Sequence, residues 1–154
     1  MNFTLENVIN SLAGVVQSGY PDYPVYTSPN QQGTKAPCFF IFFMVSSIED
    51  EIGNRFTRDL GVDIIFVQKR NIVNGNAEIL SMCDFLDEAL EQFPYVDENE
   101  NKAVIRTSER QWQKEDDELH YQFHIKQRVS VPTVTTPMKK MEENNASIKA
   151  NDKK

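Results

Sequence analysis

Two histidines four residues apart, His120 and His124, are the side chains in this chain that most resemble a metal pair. On a helix, residues at i and i+4 are neighbours about 6 Å apart. In a strand the same spacing spans roughly 13 Å. Zinc–nitrogen bonds of about 2 Å cannot bridge that distance within one subunit. The flanking residues decide between the two. Leu119, Tyr121, Phe123, Ile125 and Val129 fall on one side, and His120, Gln122, His124, Lys126 and Arg128 on the other. A period of two is a strand's signature, so the pair reads as solvated strand histidines.

The other reactive residue types are no better placed. Acidic runs occur at Glu49-Asp50-Glu51, Asp97-Glu98 and Glu115 to Glu118, but paired-carboxylate chemistry needs a set separation inside a cleft. Runs in turns are solvated. The six glycines form neither GxGxxG nor GxxxxGK[ST], the spacings that cradle phosphates, and no GxSxG nucleophile elbow occurs. Cys38 and Cys83 both lie in apolar segments. Two cysteines alone do not complete a structural zinc site, and buried thiols behave as small hydrophobes. These residues point to no cofactor, no metal and no enzyme.

The chain has 154 residues, the size of one ordinary domain. With 40% hydrophobic and 25% charged residues it has the composition of a globular protein. The longest uncharged apolar run, Cys38 to Val45, has eight residues, where a spanning helix needs about 20. No basic region precedes an apolar stretch at the N-terminus, so neither a signal peptide nor a membrane partner is expected. The net charge is −7, unevenly spread. Residues 139–154 hold five lysines against three acids. The remainder holds 11 basic and 20 acidic residues, a net of −9. Such a body repels phosphates rather than binding nucleic acid specifically. The aromatics are not interleaved with Lys and Arg, as a single-strand platform requires.

Hydrophobic spacing supplies the elements. Leu5, Val8, Ile9, Leu12, Val15 and Val16 mark one helix face over about residues 4–18, with Thr4 as cap and Gly19 as stop. Val25-Tyr26 is a short edge strand, and Thr27 to Ala36 a polar loop. Cys38 to Val45 (CFFIFFMV) is apolar on both sides, so both sides require cover, one by helices and the other by a second layer or a second subunit. A polar connection, Ser46 to Asn54, precedes a long alternating strand at 55–68. A second helix starts at Asn74 or Asn76 and runs to Phe93, where Pro94 stops it. Strands Ala103–Gln113 and Leu119–Val131 flank a turn at Lys114–Glu118. The order α-β-β-β-α-β-β, with two helices covering one face of a largely antiparallel sheet, is an α+β domain over residues 1–131. Residues 132–154 lack aromatics and read as a flexible polar tail.

These elements, together with Pro24-Val25-Tyr26, Ala36-Pro37-Cys38-Phe39-Phe40-Ile41 and Gly53-Asn54-Arg55-Phe56, resemble the tail terminator proteins of phages and defective prophages of Gram-positive bacteria. Similar proteins cap phage tail-like bacteriocins. The likeness covers about residues 1–131. It implies a structural protein of the virion tail or tail-like particle, assembled in the bacterial host cytoplasm as a six-membered ring on the head-proximal end of the tail tube. Its implied partners are copies of itself and the tail tube protein, with sheath and head-completion proteins as further neighbours. Candidate assembly contacts are Asn30, Gln31 and Gln32 in the long loop and Gly53, Asn54 and Arg55 before the long strand. Arg55, which shares a strand face with Asp59 and Asp63, is expected to organise the loop or a subunit contact by pairing with a carboxylate. The rival reading is a soluble adaptor or ligand-binding α+β domain that forms no ring.

Overall fold

The structure, a computed structural model, describes residues 2–28 and 35–130. Helix α1 spans Leu5–Gly19. The Thr4 hydroxyl accepts from the Asn7 amide at 3.1 Å, satisfying one of the free amides of the first turn. Val8, Leu12, Val15 and Val16 form its buried face. The segment before the helix is tied down by Tyr95. Its hydroxyl accepts from the Thr4 amide at 3.0 Å and donates to the Asn2 carbonyl, and its ring stacks on Phe3.

A five-stranded sheet follows the order β1-β2-β3-β7-β6. Strand β1 (Val25–Tyr26) runs parallel to β2 (Cys38–Asp50), with Val25 opposite Phe39 and Tyr26 opposite Phe40. Strand β3 (Arg55–Val67) returns after a four-residue connection, which only an antiparallel neighbour permits. Strand β6 (Ser108–Glu115) pairs antiparallel with β7 (Glu118–Ser130). The largely antiparallel sheet, the two helices and the α+β class agree with the spacing of apolar residues.

One face of this sheet and both helices share a single core. Phe39 and Ile41 come from β2, Leu60, Val62, Ile64 and Phe66 from β3, and Leu119, Tyr121, Phe123 and Ile125 from β7. Ile79, Met82, Cys83 and Leu86 of helix α2 (Gly75–Ala89) join them. The Tyr121 hydroxyl donates to the Asp87 carboxylate and links β7 to α2. Burial and that carboxylate push the hydroxyl well above its ordinary range, so it remains a donor. Both cysteines are buried and free. Burial, then Asp87 and Asp84, push the Cys83 thiol up to about 11, which keeps it a neutral core side chain.

Four elements differ from the sequence reading. Helix α2 ends at Ala89, not Phe93, and Gln92–Val96 forms strand β4 against β5 (Lys102–Arg106). Phe93 and Tyr95 are buried while Gln92, Pro94 and Val96 are exposed, a period of two that a short window hides beside a helix. The β4–β5 turn is held by Asp97, which accepts from the amides of Asn2, Asn99 and Asn101. Those hydrogen bonds, the Asn2 amide foremost, hold its carboxyl down to about 2. Asn74 does precede α2, but in a left-handed conformation and without a side-chain cap bond. The expected strand Ala103–Gln113 breaks at buried Thr107, whose amide donates to the Glu91 carbonyl and whose hydroxyl donates to that of Leu90. Finally, β2 runs on through the polar residues Ser46 to Asp50.

Inter-residue contacts divide the chain into two units. One comprises residues up to Glu49 and Thr57–Gln127 and contains the whole core. The described part of the other is the connection Asp50–Phe56 and the end of β7 from Arg128. The predicted tail, 132–154, lies outside the described residues.

If the core face of α1 anchors the helix, Leu12→Ala should cost about 2–5 kcal/mol. Thr4→Ala should cost about 1 kcal/mol. Thermal melting checks this, at about 2–4 °C per kcal/mol for a chain of this size. Equal shifts for the two variants would contradict the packing described.

Candidate assembly surface

Because Leu60, Val62, Ile64 and Phe66 turn into the core, strict alternation sends Asp59, Gly61, Asp63 and Ile65 to the opposite face of β3. The same argument places His120, Gln122, His124 and Lys126 on that face of β7. The structure joins the two rows. His120 Nδ1 lies 3.1 Å from Asp63 Oδ2, and His124 Nδ1 lies 2.8 Å from Asp59 Oδ1. Residue numbers fall along one strand as they rise along the other, the mark of an antiparallel ladder. His120 Nε2 also meets Glu118 at 3.1 Å and Glu115 at 3.7 Å. Gln122 reaches Asp63 Oδ2 at 3.5 Å, and the buried Asp63 Oδ1 has no hydrogen-bond partner among the described residues.

The histidines are therefore on a strand, as their flanks require, but each is held by an aspartate rather than left to solvent. The cross-strand partners were missed, although the sequence carries a signal for them. Asp59 and Asp63 repeat the four-residue spacing of His120 and His124.

On the same face, β2 presents Phe40 and Phe42. Their rings lie 5.7 Å apart, and Tyr26 stands 5.4 Å from Phe40. The three rings are half-buried by one another, and among the described residues no second layer covers them. Met44, Val45 and Ile48 beyond them are 45%, 50% and 44% exposed. Gly61 makes room for this end of β2: a Cβ there would stand 2.9 Å from Val45 Cγ1 and 3.2 Å from Met44 Cε. The helix-facing side of β2 is thus covered, and among the described residues no second layer covers the other side.

Gly53, Asn54 and Arg55 come together at the β2–β3 connection. The Glu51 amide donates to the Arg55 carbonyl at 2.9 Å, and Gly53 adopts φ +80°, which glycine takes without strain. Glu51 pairs with Arg128 at 3.0 Å. Among the described residues Arg55 forms no ion pair, and Asp59 and Asp63 meet His124 and His120 instead. Immediately before Gly53, Ile52 is 94% exposed. Asn30, Gln31 and Gln32 lie outside the described residues. Among the described residues no helix is long and apolar enough to cross a membrane.

A family profile described as Phage tail terminator protein matches residues 7–137. The chain belongs to this family. No curated protein sequence matches it. The matched span begins inside α1 and runs through β7, so it takes in the aromatic strip, the histidine ladder and the β2–β3 connection. Membership of the tail terminator family makes this a structural protein of the phage tail, in contact with other tail components.

The ladder gives a pH dependence with a definite sign. Partial burial lowers the affinity of His120 for a proton. Hydrogen bonds and charge from Asp63 and Glu118 more than offset this, so the net shift is upward from 6.5. A raised folded-state value contributes stability that is complete below the unfolded value, near 6.5, and lost as pH rises through the folded value. The stability advantage of the wild type over His120→Gln should therefore shrink as pH rises from about 6 to about 9. Urea titrations of both proteins at several pH values measure this; a pH-independent difference would contradict it.

Proposed function

We propose that this protein caps the head-proximal end of a phage tail tube as a ring of six identical subunits. The cap halts tube polymerisation and offers its far side to head-completion protein. The observation that carries the reading is the uncovered face of β2, in a chain that belongs to the tail terminator family. An apolar strip of this kind marks an interaction surface.

Capping needs no reaction. A tube grows because each ring recreates the surface it bound, and a subunit that binds this surface without recreating it ends growth. Six equivalent contacts hold such a cap through multivalency even where each is weak. The ring contact must be heterologous and must close on itself, since an open version would form filaments. Contacts to neighbours or tube are assigned to Gly53, Asn54 and Arg55, and to Asn30, Gln31 and Gln32 of the long loop. The acidic body suits a channel that DNA crosses without adhering. Sheath protein, where the tail has one, borders the same ring. Assembly takes place in the host cytoplasm, on tubes of a phage, a prophage or a tail-like bacteriocin.

Two measurements test the reading. Native mass spectrometry of the concentrated or tail-bound protein should show a hexamer; a monomer or dimer in both settings would support a non-ring adaptor instead. Deleting the gene should leave tubes of abnormal or variable length with heads, where present, unattached. Normal tails with joined heads would overturn it.

A further inference from the structure

A groove of about 810 Å³ lies between the exposed side of α1 and strand β4. Gly14, Ala89, Pro94 and Val96 give it apolar lining, and the carboxylates of Glu6 and Glu98 line it as well, among asparagines and serines of α1. Val96 is 38% exposed, and a Cβ built at Gly14 would meet nothing within 4 Å. Hydrogen bonds from Asn2, from its own backbone and from Asn7 hold Glu98 below the usual carboxylate range. The groove thus asks for an apolar side chain with a cation close by.

The β2–β3 connection presents such a pair. Ile52 is 94% exposed at the turn. A bare aliphatic side chain is unremarkable alone, but Arg55 follows it three residues later, exposed and without an ion pair among the described residues. The acid of the turn, Glu51, is taken by Arg128. Glu49 and Asp50 lie on the β2 side, so the β3 side of the hairpin is the one that suits the groove's carboxylates.

We infer that Ile52 and Arg55 of one copy dock into the α1–β4 groove of the next copy, Ile52 between Gly14 and Val96 and Arg55 against Glu6 and Glu98. The occupant is a second copy of this chain. Knob and groove are different patches, and every copy carries one of each, so the contact is head-to-tail and propagates around a closed cycle. An isologous pair would end at a dimer. The inference rests on the ring reading above and names the contact that builds the ring.

Two variants separate the patches. Ile52→Asp removes the knob and leaves the groove. Gly14→Arg fills the groove, repels Arg55 and leaves the knob. The arginine side chain enters open space on a helix, where arginine is preferred to glycine, so the melting temperature should hold or rise. Native mass spectrometry under conditions in which the wild type forms rings should find each variant alone monomeric. An equal mixture should stop at a heterodimer, because one intact knob meets one intact groove and nothing continues. Rings from either variant alone would overturn this contact while the ring reading stands. No ring from the wild type, in solution or on tails, would remove the ring reading and this contact with it.

Discussion

Strand β2 is apolar on both sides while its neighbours are apolar on only one, and that mismatch organises the structure. In β3 and β7 alternation sends the buried hydrophobes to one face, and only Ile65 and Val67 at the end of β3 fall on the other. Helices α1 and α2 fill that face completely, joining their buried stripes to the strands in one core. Among the described residues no helix is left for the other face. There β3 and β7 present aspartates and histidines that hydrogen-bond each other, but β2 still presents Phe40 and Phe42. At roughly 25 cal/mol per Å² of apolar surface, leaving such rings and the aliphatics beyond them in water costs stability that a neighbour's contact can restore. A subunit that acts by covering and being covered tolerates this arrangement; a protein that works alone gains nothing from it.

What could be read from the sequence follows the same division. Helix α1 and strands β3 and β7 were readable because each has one wet face and one dry face over many residues, so the period shows. The two-sided apolarity of CFFIFFMV was readable too, as a demand for extra cover. Strand β4 was not, because five alternating residues follow directly on a helical stripe, and Phe93 is core under either reading. The polar half of β2 was not, because both its sides are wet and no alternation survives. The break at Thr107 depends on hydrogen bonds to the end of α2, which is a tertiary fact.

The candidate site divided in the same way. Gly53, Asn54 and Arg55 were picked out by a resemblance, and the structure gathers them at one turn. Arg55 meets no carboxylate among the described residues, and Asp59 and Asp63, its neighbours along the strand, are held by histidines more than 50 residues away. Local spacing finds same-strand neighbours and cannot by itself choose among cross-strand ones. The exposure of Ile52, by contrast, follows from neither its type nor its spacing.

The function proposed is positional, a cap at one end of the tail tube. Immunogold labelling of purified tails, read by electron microscopy, measures position directly. The account predicts label at the head-proximal end only. Label along the length of the tube, or at the opposite end, would contradict it.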